Sequence, residues 1–119
     1  MDKLLSKSKI ILQGRCYGER FQIVRYEGLY AAYLPKKGIR TSYKETIGEA
    51  VDRGIHYMEQ TEEHDFLAHY NGAAIHIMSC EANFRAILPR YDVLTSVKPT
   101  IGAAVQRAIV NIVKNQLVS

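Results

Sequence analysis

Two hydroxyl–lysine clusters, Thr41-Ser42-x-Lys44 and Thr95-Ser96-x-Lys98, hold the residue types that could receive a phosphate. Each stands just ahead of a segment with helical periodicity, where free backbone N–H groups and the helix dipole favour an anion. No glycine-rich phosphate loop accompanies them, and the plainer reading is a β-bridge and loop entering a capped helix. Glu27 and Glu81 form a second recurring set, and two carboxylates held together could exchange protons with a substrate. Their setting, Glu27-Gly28 and Glu81-Ala82 between alternating apolar runs, is that of hairpin turns, where polar residues are ordinary. Of the histidines His56, His64, His69 and His76, none stands at a zinc-ligand spacing from a cysteine or carboxylate. His69 and His76 fall on neighbouring strands and could approach each other, but surface or boundary positions account for all four. No residue set specifies a catalytic centre, a metal or a cofactor, and the chain reads as a non-enzymatic binding protein.

The tyrosines are unevenly spread, with Tyr17, Tyr26, Tyr30, Tyr33, Tyr43 and Tyr57 in the first half and only Tyr70 and Tyr91 in the second. Arg25, Tyr26, Tyr33, Lys36, Lys37, Arg40 and Lys44 are the candidate nucleic-acid-binding residues, because aromatic rings among cations on an open sheet suit stacked bases and phosphates. The competing reading is that this face is covered and the tyrosines rim a core. Charge follows the same asymmetry: residues 1–58 hold eleven Lys/Arg against six Asp/Glu, residues 59–119 five against six. The first half is thus +5 and the second −1, for a net charge of +4, without the block of like charges that marks a basic arm.

These residues are set in a chain that repeats itself. Leu12–Glu59 aligns with Phe66–Val113 at a constant offset of 54, without a gap, and 16 of the 48 aligned positions are identical. Self-similarity of this length means two copies of one supersecondary unit. With 119 residues, 47% apolar and 24% charged, the chain is expected to form one compact body over 1–119. Repeat one spans 9–59 and repeat two 64–115; each alone is near the size at which a core is marginal. No run is long enough for a membrane helix, and Met1–Lys7 lacks the apolar stretch of a secretory signal. Cys16 and Cys80 occupy non-equivalent repeat positions, which favours reduced thiols and a cytoplasmic protein.

Each copy reads as strands followed by one helix. Lys9–Cys16, Arg20–Tyr26 and Leu29–Leu34 alternate with period two in copy one, as Ala74–Cys80 and the Phe84, Ala86, Leu88 set do in copy two. Pro35 and Pro89 end the third strands, and short fourth strands are expected at Ile39–Tyr43 and Val93–Val97. Thr46 and Thr100 are N-caps, Thr46-Ile47-Gly48-Glu49 having the capping-box spacing. Ile47, Ala50, Val51, Gly54, Ile55 and Met58 then recur at helical spacing, as do Ile101, Ala104, Val105, Ala108, Ile109 and Ile112. Gly48 and Gly102 are placed to allow close backbone packing.

Several of these segments resemble the HicB-like antitoxin domain. Phe21-x-Ile23, Gly28-Leu29-Tyr30-Ala31-Ala32-Tyr33-Leu34-Pro35, Gly38-Ile39-x-Thr41 and Thr46-Ile47-Gly48-Glu49-Ala50-Val51 follow that pattern across about Phe21–Tyr57, and Ile75–Ile112 follows it in weaker form. The resemblance implies a partial ribonuclease-H-like fold that acts by binding a toxin protein. The chain departs from the pattern by one extra residue between Thr41 and Thr46, and by Asp92 and Ala103 in place of Gly and Glu. A second resemblance is to YegP-type small bacterial proteins, through Ile39-Arg40-Thr41-Ser42, Arg53-Gly54-Ile55 and the duplication itself. It implies a tandem architecture and no particular activity.

The expected architecture is α+β: two tandem β-β-β(-β)-α repeats with pseudo-twofold symmetry, their antiparallel sheets each covered by one helix and either joined edge to edge or packed on each other. The expected function is nucleic-acid binding through the basic, tyrosine-rich first repeat. The alternative is an antitoxin-like or phage-derived antagonist of a partner protein, with a homodimer also compatible with the sequence. Arg25, Lys36, Lys37 and Arg40 converging on one open face would favour nucleic acid; a wide apolar surface or a free, flat strand edge would favour a protein partner.

Overall fold

The structure is a computed structural model that describes residues 8–118. Met1–Lys7, read above as too polar for a secretory signal, and Ser119 lie outside the described residues. Alternating sequence becomes strand where expected in β1 (Lys9–Cys16), β2 (Glu19–Tyr26), β3 (Leu29–Leu34), β6 (Ala73–Cys80) and β7 (Asn83–Leu88), and β5 (Leu67–Tyr70) adds a short strand whose bounds alternation does not mark. The helical stripes form α1 (Ile47–His56) and α2 (Ile101–Val118), and a 3-10 turn occupies Pro89–Tyr91. Glu27-Gly28 and Asn71-Gly72 have positive φ at both residues, the backbone that matches a tight hairpin to the twist of its strands.

With the two short strands β4 (Ile39–Arg40) and β8 (Val93–Leu94), the described strands join one antiparallel sheet in the order β4-β3-β2-β1-β5-β6-β7-β8. This decides between the two arrangements left open by the sequence: the halves meet edge to edge, through Gln13–Arg15 of β1 paired with Leu67–His69 of β5. It also corrects the expectation of two sheets, each with its own helix. Among the described residues there is one sheet of eight strands, and α1 and α2 lie against its β2–β3 and β6–β7 portions and against each other. A side chain at Gly14 would collide with the backbone of Leu67 and Ala68; the residue that weakens the strand pattern of β1 is the one that admits the second half.

The fourth strands are shorter than expected. Only Ile39–Arg40 (β4) and Val93–Leu94 (β8) pair with the sheet, and the cause is the threonine that follows each. Thr41 Oγ1 accepts the Ala32 N–H at 3.0 Å and donates to Ser42 O at 3.1 Å. Thr95 makes the same bonds to Ala86 and Ser96. A side chain therefore takes over one acceptor position of the ladder while the threonine N–H still donates to the Ala32 or Ala86 carbonyl; beyond it the chain peels away and meets the sheet again at the Tyr30–Lys44 and Phe84–Lys98 bridges. Both threonines are buried, so the hydroxyls that could have met a phosphate are spent on the backbone.

The main core lies between the sheet and the helices. Leu12, Phe21, Ile23, Leu34, Ile75 and Leu88 from the strands meet Val51 and Ile55 of α1 and Val105, Ile109 and Ile112 of α2. Each such side chain contributes about 1.5–3 kcal/mol when fully buried, which a ten-residue helix, marginal by itself, needs to persist. Phe21 and Phe66 stack across the two halves with ring centroids 5.5 Å apart.

Where the helices cross, their first turns meet. Gly48 and Gly102 face each other so closely that a Cβ on either would run into the carbonyl oxygen of the other. Each helix also caps its neighbour. Asp52 of α1 accepts the Gly102 N–H at 2.8 Å through Oδ1 and the Thr100 hydroxyl at 2.8 Å through Oδ2. Gln106 of α2 accepts the Gly48 N–H at 2.9 Å through Oε1. Thr46 and Thr100 serve as the N-caps in the ordinary way, accepting from the N–H groups of Glu49 and Ala103. The missing capping-box carboxylate of the second helix, Ala103 in place of Glu, is thus replaced by Asp52 from the first.

Gly102→Ala is expected to lower stability by about 1–3 kcal/mol, the usual range for forcing atoms into a packed contact. Asp52→Ala should cost about 1–2 kcal/mol by orphaning two donors, and Asp52→Asn less, because one acceptor survives. Urea unfolding followed by circular dichroism measures all three; equal stability of Gly102→Ala and the parent would contradict the close helix contact.

Candidate nucleic-acid interface

The helices cover one face of the sheet, and strand alternation puts a separate set of residues on the other. Cross-strand pairs define it: Arg40 opposite Tyr33, Tyr33 opposite Gln22, Gln22 opposite Gln13 and Gln13 opposite His69. A parallel row runs Arg20, Arg15, Leu67, His76, Ile87, Leu94. Among the described residues, no strand position on this face holds Asp or Glu, whereas Arg15, Arg20, Arg40 and Arg85 all do lie on it. Arg15 and Arg20 oppose each other directly, are exposed, and make no ion pair or hydrogen bond with the described residues. Like charges placed opposite one another destabilise a sheet, and an anion laid across the pair would remove that repulsion.

The face is hollowed at the junction of the halves. A concavity of about 590 Å³ is lined by Gln13, Gly14, Arg15, Arg20, Gln22, Leu67 and His69, so β1 and β2 of the first half and β5 of the second build it together. Arg15, Arg20, Gln13, Gln22 and His69 were missed as site residues by the sequence reading. The signal was present as their alternation with Leu12, Cys16, Phe21 and Ile23; what sequence could not supply was that β5 lies beside β1.

The residues expected to bind nucleic acid are divided by the fold. Tyr26, Tyr33 and Arg40 are on the helix-free face. Tyr26 packs on Tyr43 with centroids 6.2 Å apart, and the Arg40 guanidinium sits 4.9 Å above the Tyr43 ring. Beside them Val24 and Ala31 are 1% and 0% exposed, so this corner of the face is not open ground and Tyr26 helps to rim it. Tyr33, on β3, stands directly opposite Gln22, which lines the concavity. Arg25 falls on the other side by alternation, opposite Tyr30, and Lys36 is exposed in the β3–β4 turn. Lys37 reaches the helix side, where Nζ pairs with Glu19 Oε1 at 2.8 Å and donates to Tyr57 O at 2.7 Å. Lys44 is held by its backbone bridge to Tyr30 and borders a hollow with Glu49, Asp52, Arg53 and His56. Arg25, Lys36, Lys37 and Arg40 therefore do not converge on one open face.

The other chemistry-bearing groups are accounted for structurally. Glu27 and Glu81 sit in the β2–β3 and β6–β7 turns, which the antiparallel order places at opposite ends of the sheet. Cys16 is a core thiol, pushed up to about 12 chiefly by burial; Cys80 lies on the opposite face and both are free. His69 and His76 share the helix-free face on a diagonal, and no cluster of three metal-ligating side chains occurs among the described residues. His64 belongs to the link between the halves. Its Nδ1 accepts the Phe66 N–H at 3.3 Å, its Nε2 lies 3.1 Å from Ser79 Oγ, and its carbonyl accepts the Tyr17 N–H at 2.6 Å. Burial lowers its pKa, with Asp65 and Glu63 opposing.

Lys37→Met should lower stability by about 1–3 kcal/mol, because the buried Glu19 side chain loses its partner; oligonucleotide affinity should stay unchanged. A large loss of affinity in a variant that remains folded would return Lys37 to the binding surface. For His64, burial in the folded state disfavours the protonated ring relative to the unfolded chain, which protonates near 6.5. Stability is thus full above that pH and declines as pH falls below it. The difference in melting temperature between parent and His64→Gln should narrow on going from pH 7.5 to pH 5; parallel curves would exclude His64 as a contributor. Comparison with family models, with curated proteins and with solved structures gave no match to this chain.

Proposed function

We propose that the protein is a non-enzymatic, cytoplasmic nucleic-acid-binding module whose working surface is the helix-free face of the sheet. The observation that carries this reading is the composition of that face: four arginines, two histidines, and no carboxylate at any described strand position. Phosphate contacts supply most of the affinity in sequence-independent binding, and the unpaired Arg15–Arg20 couple is the natural anchor for them. Tyr33 and, at the margin, Tyr26 and Arg40 from the expected set belong to the same surface; Lys37 and Lys44 do not. The reading treats the chain as a tandem duplication with approximate twofold symmetry, in which the first copy specialised its face. Position by position, Tyr33 and Arg40 are matched 54 residues on by Ile87 and Leu94.

That exchange favours a second reading at the other half. Leu67, Met78, Ile87 and Leu94 form an aliphatic stretch on the same face, with Leu94 54% exposed. An antagonist of a partner protein, as the antitoxin resemblance implies, would use this patch rather than a strand edge, because β4 and β8 are only two residues long.

Fluorescence anisotropy of labelled oligonucleotides across a salt series tests the nucleic-acid reading. Log affinity should fall linearly with log salt, and the slope should shrink by roughly 1.4–1.8 in Arg15→Gln/Arg20→Gln. No binding at low salt, or binding indifferent to the double variant, would defeat it.

A further inference from the structure

We propose that the seam between the two halves accepts a short single strand of nucleic acid, laid across the sheet from β3 to β5, in preference to a duplex. The assignment rests on the nucleic-acid reading of this face and specifies the ligand that fits it. Two rows of side chains cross the seam side by side. Tyr33, Gln22, Gln13 and His69 occupy directly paired positions on β3, β2, β1 and β5. Arg20 and Arg15 begin the adjacent row, two residues further along β2 and β1. Strands lie about 4.8 Å apart and two residues advance about 6.7 Å, so the first row spans about 14 Å and its neighbour runs beside it at about 6.7 Å. One row offers rings and amides, the other guanidiniums.

Each feature of the rows matches a different part of a nucleotide. Tyr33 and His69 stand at the ends of the first row with π faces on which bases can stack. Gln13 and Gln22 between them each carry a donor and an acceptor, the pair of groups needed to read a base edge. Both amides are without hydrogen-bond partners among the described residues. Arg15 and Arg20 supply the positive rail for the phosphates. At about 3.4 Å per stacked nucleotide, a 14 Å row accommodates about four. A duplex offers this surface little: its bases are already stacked on each other, and among the described residues no helix or ribbon projects from the helix-free face to enter a groove. The hollow at Gln13, Arg15, Arg20, Gln22 and His69 is shallow and shared by both halves, which suits a thin strand held at one place.

The test compares a labelled single-stranded dT8, a labelled rU8 and a labelled 12-base-pair blunt duplex on the full chain, each across a salt series. Single strands should bind at least tenfold more tightly than the duplex. Tyr33→Ala and His69→Ala should each weaken single-strand binding about 5- to 100-fold with the salt slope unchanged, whereas Tyr33→Phe should retain it. Arg15→Gln should instead reduce the slope by about 0.7. Circular dichroism melts confirm that each variant is folded, and all these positions are exposed or half-exposed. Duplex binding equal to single-strand binding, with Tyr33→Ala silent, overturns this inference while leaving a phosphate-binding face in place. Absence of binding to all three probes at low salt overturns it together with the broader reading.

Discussion

The contact between Gly48 and Gly102 governs the rest of the architecture. Two helix N-termini brought together place like ends of two dipoles in contact and leave several backbone donors crowded into a small space. The chain resolves this by exchange: Asp52 serves the second helix, Gln106 the first. The negative charge of Asp52 also lies where two positive helix ends meet, which makes the carboxylate more useful there than on an isolated helix. With the helices locked at this point, the strands under them are held at a fixed separation. The two halves then close into one sheet only if β1 and β5 can approach, which Gly14 permits.

That arrangement divides the labour of the two faces. The covered face takes nearly all the buried large apolar side chains, and with them most of the stability of the protein. The opposite face is left with residues that the core does not need, and it differs between the halves for that reason. Arg15 is matched by His69, Gln22 by His76, Tyr33 by Ile87 and Arg40 by Leu94. Positions free of packing constraint are the ones at which two related segments can acquire separate surfaces, one cationic and amide-rich, the other aliphatic.

Much of the fold was legible in the sequence because its signals are local. Alternation located β1, β2, β3, β6 and β7 within a residue, and the Thr46 and Thr100 caps located both helices. The aligned repeat gave Gly48 and Gly102 a packing role that the structure bears out. What stayed hidden was non-local. The edge-to-edge joining of β1 and β5 leaves no mark in either strand, so the residues of the hollow could not be gathered from their positions along the chain. Asp52 and Gln106 align with each other but differ in type, so a comparison of the copies shows them as drift rather than as a reciprocal pair. Lys37 looked like a free cation beside Lys36 because its partner, Glu19, lies 18 residues earlier and is buried. The fourth strands were overextended because the propensity of Ile39–Tyr43 is that of a strand, and the hydroxyl that ends it acts through a single side-chain bond.

Thr41 and Thr95 have an effect beyond their own turns. An eight-stranded antiparallel sheet has two borders, and each border is a row of unsatisfied backbone groups on which another chain could grow. Here both borders fray after two paired residues, because a hydroxyl has replaced the backbone acceptor of the next rung. A sheet whose halves join through β1 and β5 therefore reaches a natural limit. The inner edges were consumed in the seam and the outer ones are blunted, so the same architecture that welcomed a second unit gives no template to a third, nor to the open-ended fibre that repeated addition would build.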